Sequence, residues 1–510
     1  MRPGSPLLWE IAYRARETTR DDPLTMTFEQ IEPTLLIAAH VAVVAWVGAR
    51  VILTRHPPGS SFAWLLLVAV LPVIGFVGYL LIGERPIGRR RTQFARKFFA
   101  ELPSALTRAS PHELADPATL PAPWDGLARL ATKATGMPLV AASSFRLIDG
   151  AEPILRAIVA DVDAARASVD MEFYIWNAGG TADEVAAALE RAAARGVRVR
   201  LLLDALGSKA FLKSPWRGRL RAAGVDLLAA LSVKAWKIPF QRIDLRLHRK
   251  IVVVDERIAY TGSMNLVDPR FFKQGAGVGE WVDAMARAEG PIVGALRTVF
   301  LFDWGMQTGH AGEAVSPETR EAWAAAQGTQ IAQVVMSGPG VDEAANLRVI
   351  TQAIASARRR VVLTTPYFVA DGALALALEG AAMRGCEVTL ILPAKNDSWL
   401  VEYASRWFYD DLAKAGVQIL QYTGGLLHTK SVTVDESVSL FGTVNLDIRS
   451  MSLNFELMLA IYDAAFTRAL LTLQRSYAAE ARPLVFAEWR VRPVTERLKE
   501  GIAFMAAPLL

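Results

Sequence analysis

The amino-acid sequence predicts an α/β protein of two pseudo-symmetric mixed-sheet halves that form one shared site, preceded by a two-helix transmembrane hairpin. Three observations carry this prediction. Two apolar stretches lie near the N-terminus, a strand–helix–strand alternation occurs twice, and a set of polar residues recurs at a constant spacing of 180 positions.

The first apolar stretch covers residues 34–53 and the second 61–82. Each holds about 20 residues, enough for a helix to cross roughly 30 Å of hydrocarbon. Pro72, Gly75 and Gly78 interrupt the second, a composition more tolerable in a spanning helix than in a soluble one. Buried core helices are the rival reading; a cleaved leader fits poorly, because the first stretch begins late and runs long. The short linker, 54–60, makes the pair a hairpin. Arg2, Arg14, Arg16 and Arg20 precede it, and Arg85, Arg89, Arg90, Arg91, Arg96 and Lys97 follow. Positive flanks stay cytoplasmic, which places both ends inside. The same cluster would attract anionic headgroups. Arg50 is expected to snorkel to the interface, and His40 to be a packed polar residue.

Composition narrows the classes. Of 510 residues 52% are hydrophobic and 21% charged, which argues against extended disorder. Cys386 is the single cysteine, so neither an intrachain disulfide nor a Cys-rich zinc site is possible. The net charge of +5 suits nucleic acid or anionic lipid, and the basic residues beside the apolar stretches favour lipid.

The domain plan is an N-terminal segment, 1–97, a connector rich in Ala, Pro and Thr, 98–135, and two halves, 136–325 and 326–510. In the first half a strand at 168–176 precedes an Ala-rich helix at 183–196, then a strand in VRVRLLLDAL. The second half repeats this order with 359–369, 372–385 and 386–394, followed by DLAKAGVQILQY. Gly196 and Gly385 stand where each helix should end. Such alternation argues a parallel or mixed sheet flanked by helices.

The repeat is strict in LHRKIVVVDERIAYTGSMNL and LHTKSVTVDESVSLFGTVNL. His248, Lys250, Asp255, Gly262 and Asn265 recur as His428, Lys430, Asp435, Gly442 and Asn445. On a strand, residues i and i+2 share a face, so each His–Lys pair points one way, as do Ser263 with Asn265 and Thr443 with Asn445. Two halves placed face to face then give one pocket of two imidazoles, two ammonium groups, two amides and two hydroxyls. This suits a phosphodiester: lysines and amides hold the non-bridging oxygens, one histidine attacks phosphorus, the other protonates the leaving alkoxide. Metal binding is disfavoured, because a lysine beside each histidine repels a cation.

Asp255 and Asp435 complete the candidate catalytic set. Each is seven residues from its histidine, an odd number that turns it away from the pocket, so both read as mainly structural, at a strand end. A catalytic histidine still needs an orienting carboxylate. The candidates are Glu280 in VGEWVDAMA and Glu456 in NFELMLAIY, acids within largely apolar stretches.

The doubled pattern HxKxxxxDxxxxxxG(S/T)xN is identified as the signature of the phospholipase D superfamily. Residues around both motifs, the N-terminal hairpin and the C-terminal RPVTERLKEGIAFMAAPLL resemble the bacterial cardiolipin synthases, over nearly the whole chain beyond its first thirty residues or so. Thr443 stands where many superfamily members have serine, and the hydroxyl is kept. The resemblance implies that two phosphatidylglycerol molecules give cardiolipin and glycerol through a phosphatidyl-histidine intermediate, without cofactor, nucleotide or metal. By family analogy the first-motif histidine is the nucleophile. It also implies a multi-pass protein of the bacterial inner membrane, with its catalytic part cytoplasmic, that meets anionic lipid rather than nucleic acid. A hydrolytic phospholipase D, a nuclease and a non-catalytic scaffold are the alternatives; the intact motifs argue against the last.

At the C-terminus Val494, Leu498, Ile502 and Met505 recur at helical spacing, bordered by Arg497 and Lys499. The stripe predicts a face either packed on the catalytic domain or sunk into a membrane surface.

Overall fold

A computed structural model describes residues 28–54, 58–84, 87–106, 113–232, 242–310, 323 and 328–506. They fall into two compact units, Met1–Glu84 and Arg85–Leu510. Arg2, Arg14, Arg16, Arg20, Arg85 and linker residues 55–57 lie outside the described residues.

In the first unit one helix runs Phe28–Leu53, and its Pro33–Leu53 portion is long and apolar enough to cross a membrane. The second apolar stretch is not one helix, contrary to the sequence expectation. It divides into Pro58–Val70, Pro72–Gly78 and a π-helical turn at Tyr79–Gly83. The break is at Leu71, which holds φ −126° and ψ 75°. The ring of Pro72 drives the preceding residue out of helical conformation, and proline has no N–H to continue the ladder. Among the described residues only Pro33–Leu53 therefore meets the length for a span as a single helix. Val47, Val51, Val68 and Tyr79 pack between the segments. Arg50 does not simply snorkel: its Nε donates to Glu84 Oε1 at 2.8 Å, and Tyr79 Oη donates to the same oxygen at 2.9 Å.

The second unit is built on one mixed sheet of fifteen strands. From one edge it runs Asp226–Ala230, Arg198–Asp204, Ser168–Phe173, Ile251–Val254, Ile258–Gly262, Ala284–Glu289 and Leu139–Asp149. The second half continues it with Gln330–Ser337, Glu456–Ile461, Val438–Gly442, Ser431–Val434, Arg360–Thr364, Glu387–Pro393, Gln418–Tyr422 and Ala481–Pro483. The halves thus join where Leu139–Asp149 pairs antiparallel with Gln330–Ser337. In each half three strands are parallel and reached through helices, and the motif strands form an antiparallel hairpin beside them. Every residue of Ser168–Phe173, Ile251–Val254 and Ser431–Val434 is buried, as expected for strands covered on both faces.

The helices Thr181–Ala194 and Gly372–Met383 end as predicted. Gly196 and Gly385 take φ of +87° and +92°, and the next residues, Val197 and Cys386, donate back to Ala192 and Ala381. This left-handed closure is cheap only for glycine. Residues 98–135 are more than a connector. Helix Trp124–Thr135 buries Trp124, Leu127, Ala128 and Ala131 in the same core as Ala345, Val349 and Ile350 of helix Ala345–Ala355. The preceding helix, Arg89–Leu106, sets Phe94, Phe98 and Phe99 against Phe302. Part of the basic cluster is used there. Arg90 donates to the Thr308 carbonyl at 2.6 Å and Arg91 to Gln307 at 2.9 Å, at the C-terminal end of helix Ile292–Thr308, where cations are favoured.

Candidate active site

The motif hairpins turn on the aspartates. Asp255 and Glu256, like Asp435 and Glu436, take φ of 50–56°, the conformation of a primed turn, within three-residue loops that join the paired ends Val254 with Ile258 and Val434 with Val438. Both carboxylates point back along the sheet. Asp255 accepts from the N–H groups of Arg166, Ala167 and Ser168 at 2.7–2.9 Å. Asp435 accepts from Arg358, Arg359 and Arg360 over the same range. Their place is at the start of the neighbouring strand, outside the pocket, so their grouping with the catalytic residues gives way to a structural position.

The motif glycines permit a close crossing. A Cβ on Gly262 would collide with the carbonyl of Ala284, and one on Gly442 with that of Leu457. The strands behind can therefore approach closely enough for Ser263 and Thr443 to reach carboxylates on them.

At the other end of each hairpin the halves exchange strands. Leu426–Leu427 pairs in parallel with Trp281–Val282 of the first half, and Leu247 bridges in parallel to Phe455 of the second. His428 N donates to Val282 O at 2.8 Å, and His248 N to Phe455 O at 3.0 Å. The residue after each of these partners is an acid. His428 Nδ1 lies 2.7 Å from Asp283 Oδ1, and His248 Nδ1 lies 2.9 Å from Glu456 Oε2. Each histidine is thus held by a carboxylate of the opposite half, through the ring nitrogen that leaves Nε2 for chemistry.

Glu456 stands where the sequence expectation put it, and Glu280 does not. The Glu280 side chain is exposed, and only its backbone carbonyl is used, accepting from Leu426 N at 2.9 Å. Asp283 takes the orienting position. Asp283 lies 18 positions after Asn265, whereas Glu456 lies 11 positions after Asn445. The longer first-half segment holds two short 3₁₀ turns, Pro269–Phe271 and Gln274–Ala276, so the constant spacing fails beyond the asparagine.

The hydroxyls also differ from expectation. Ser263 Oγ donates to Asp283 Oδ1 and Thr443 Oγ1 to Glu456 Oε2, both at 2.5 Å. They brace the carboxylates rather than stand ready for a phosphate. Asn265 accepts from Ile175 N through Oδ1 at 3.2 Å, and its Nδ2 is buried with no partner. Asn445 is 5% exposed and its Oδ1 is unpartnered. Lys250 and Lys430 are buried, and each Nζ donates to the carbonyl of the histidine two residues before it. An amine nitrogen carries at least two protons, so each keeps a donor beyond that bond.

Sequence reasoning passed over the residues between the pairs. Arg249 is fully buried and faces the other way. It donates to Glu456 O at 3.0 Å and Ser337 O at 2.9 Å, both in the second half, and is ion-paired with Asp303. Thr429, its counterpart, donates to Val282 O at 3.3 Å in the first half. Aromatic rings flank the imidazoles: Tyr174 lies 4.9 Å from His248 and Trp281 4.2 Å from His428, centroid to centroid.

Burial, reinforced by the neighbouring lysines, lowers both histidines to about 4 against the pull of their carboxylates. The rings are neutral at pH 7, with Nε2 unprotonated when Nδ1 donates to the acid. Burial lowers Lys250 to about 8 and Lys430 well below its ordinary value. For Asp283 and Glu456 burial acts upward, but the histidine, lysine and hydroxyl contacts outweigh it and keep both below the usual range. Among the described residues no group of three His, Cys, Asp or Glu side chains could hold a metal ion.

Comparison with known proteins agrees with this geometry. The family model described as cardiolipin synthase, PLD-like domain, matches residues 158–275 and 350–475, one segment in each half. A second, phospholipase D-nuclease N-terminal, matches 42–84. The chain is 42% identical to cardiolipin synthase A of Cronobacter sakazakii over 487 residues, 95% of this chain and all of that protein. The same figures hold for cardiolipin synthase A of Salmonella arizonae and of Citrobacter koseri. Among solved structures, the phosphatidylserine synthase of Haemophilus influenzae aligns with a TM-score of 0.54 at 15% identity, covering 75% of this chain and 97% of that one, a likeness of fold. With two phospholipase D-like segments meeting at one pair of histidines and this degree of identity along its length, the chain belongs to the cardiolipin synthase family.

Proposed function

We propose that this chain is a cardiolipin synthase, a phosphatidyltransferase that joins two phosphatidylglycerol molecules into cardiolipin and releases glycerol. The observation that carries the reading is the crossed pair of histidine–carboxylate contacts, His248 with Glu456 and His428 with Asp283.

The phosphodiester of the first lipid lies between the rings. Lys250, Lys430 and the amide donors of Asn265 and Asn445 take its non-bridging oxygens. Nε2 of His248 attacks phosphorus, following the phospholipase D resemblance. The bond to the glycerol headgroup breaks, and His428 supplies the proton that leaves with it. The phosphate charge, brought between two buried rings, raises their proton affinity and lets His428 carry that proton. A hydroxyl of the second phosphatidylglycerol then gives its proton to His428 and attacks the phosphatidyl-histidine. The N–P bond breaks, and His248 is restored. Asp283 and Glu456 hold the tautomers and stabilise the imidazolium that forms.

The membrane-associated chain is multi-pass in this reading. The broken segment, 58–83, returns across the bilayer after Pro33–Leu53, and the basic flank that follows keeps the catalytic unit on the cytoplasmic side of a bacterial inner membrane. Phosphatidylglycerol is both donor and acceptor.

The test is lipid product analysis by mass spectrometry, with purified full-length protein, phosphatidylglycerol and a chelator. Cardiolipin and glycerol in equal amounts are expected. His248→Ala and His428→Ala should each lose several orders of magnitude. Phosphatidic acid as the main product would make the protein a hydrolase, and phosphatidyl trapped on His428 would reverse the roles.

A further inference from the structure

The C-terminal helix, Val494–Met505, docks by a mixed face, Glu500 with Ala503 and Phe504, the latter two packed on Val369, Ala404 and Phe408, and leaves a second apolar face open. Glu500 and Ala503 are buried in the contact. Glu500 is bound by Arg492 at 2.7 Å and Arg406 at 3.1 Å, and Phe504 stacks on Trp407 at 5.1 Å. The stripe that the sequence could have packed on the catalytic domain points outward instead. Val494 is 76% exposed, Leu498 62%, Ile502 55% and Met505 82%, and Val491, just before the helix, continues the row at 82%.

Two further observations fix what covers this face. Arg497 and Lys499 adjoin Leu498 on either side, each about 100° around the helix. Lys499 is paired with Glu496 at 2.7 Å, while Arg497 is exposed, so basic side chains border the apolar stripe and the net positive charge lies on the Arg497 edge. That is the pattern of a helix lying in a membrane surface, with basic side chains reaching headgroups beside a sunken apolar face. The neighbouring helix, Trp399–Arg406, adds exposed Trp399, and Trp407 follows it, rings suited to headgroup depth.

The same helix begins at the rim of the catalytic pocket. Asp397, two residues before Trp399, accepts from Tyr367 Oη and Lys273 Nζ, each at 2.8 Å. Lys273 Nζ sits 5.4 Å from the centre of the Trp281 ring, which packs on His428. The apolar surface and the pocket are therefore joined by a short chain of contacts.

We infer that the stripe Val491, Val494, Leu498, Ile502 and Met505, with Trp399 and Trp407, is an interfacial membrane-docking surface for an anionic bilayer, which draws the pocket rim to the lipid headgroups. This rests on the phospholipid-substrate reading above. It assigns the C-terminal helix a membrane contact separate from the N-terminal apolar segments.

The test uses full-length protein in phosphatidylglycerol-containing vesicles, with an environment-sensitive fluorophore on a cysteine introduced as Leu498→Cys or Met505→Cys. Cys386 is buried and out of the label's reach. A third protein carries the label at Asp226→Cys, exposed on the strand at the far edge of the sheet. Labels at 498 and 505 should shift to the blue, be quenched by lipid-borne quenchers and be several-fold less accessible to iodide than the label at 226. Adding Ile502→Asp should restore iodide access at 505 without changing the circular dichroism spectrum. Full iodide access at 498 and 505 overturns the inference. So does protection without lipid quenching that grows with protein density, since a second copy would then cover the face. Fluorescence does not depend on turnover, so loss of the inference and loss of the synthase reading are told apart.

Discussion

The residues that decide the chemistry are acids as much as histidines. Asp283 and Glu456 are fully buried, and each is tied to an imidazole of the other half and to a hydroxyl of its own. Asp283→Asn and Glu456→Gln should each lower kcat by about 10³–10⁴-fold, the scale of a lost orienting carboxylate. Glu280→Gln should stay near wild type. Steady-state kinetics on folded variants checks this, and equal loss in Glu280→Gln would remove the crossed arrangement. The lowered pKa values give a pH profile with a stated sign. The kcat/KM of the free enzyme should rise with pH through about 4, as His248 loses its proton. It should then decline at higher pH, first because His428, also lowered to about 4, loses the proton it must supply, and further through about 8 as Lys250 loses its charge. Stability shares the acid limb. A histidine at about 4 in the fold and about 6.5 unfolded binds protons preferentially in the unfolded chain between those values. The melting temperature should therefore fall as pH drops from about 6.5 to 4, as scanning fluorimetry across that range will register.

At the scale of elements, local chemistry sets where strands and helices end, and partners set what their ends do. The parity of seven residues assumed one continuous strand, whereas the strands end at Val254 and Val434; Asp255 and Asp435 lie in the turns, and each binds three N–H groups at the start of an adjacent strand. Hydrogen bonds to a charged group are each worth about 1.5–3 kcal/mol, and the partly exposed amides regain some of this from water. Asp435→Ala should then cost about 2–4 kcal/mol of stability, measured by denaturant titration, while Asp435→Asn retains part of it. An unchanged midpoint in Asp435→Ala would deny the aspartate its role in the hairpin. Pro72 likewise ends an element that spacing alone would continue. Hydropathy reads straight across it, and the backbone breaks there because Leu71 has no room to be helical. The C-terminal stripe had the spacing of a packed face and is exposed, because Arg406 and Arg492 draw the acidic face of the helix inward.

At the scale of the whole catalytic unit, one sheet crosses both halves and one site is assembled from both. Leu139–Asp149 and Gln330–Ser337 pair at the centre, and Arg249 carries hydrogen bonds from the first half to Glu456 and Ser337 of the second. The catalytic unit should therefore unfold in one transition. Leu201→Ala, a fully buried cavity in the first half, should lower that transition as a whole, by about 2–5 kcal/mol, without splitting it. Calorimetry resolving two transitions would make the halves independent.

The sequence by itself determined the duplication, the two His–Lys pairs and most of the strand–helix order, because these rest on spacing along one chain and on burial periodicity. The tertiary structure alone decided which acid meets which histidine. Nothing near His428 in sequence announces Asp283, 145 positions away. Their meeting follows from a parallel pairing of Leu426–Leu427 with Trp281–Val282, in which backbone hydrogen bonds between halves fix the register. It decided as well that Ser263 and Thr443 serve the carboxylates, since a hydroxyl's partner depends on how closely two strands cross, and that closeness is set by Gly262 and Gly442 against the carbonyls behind them.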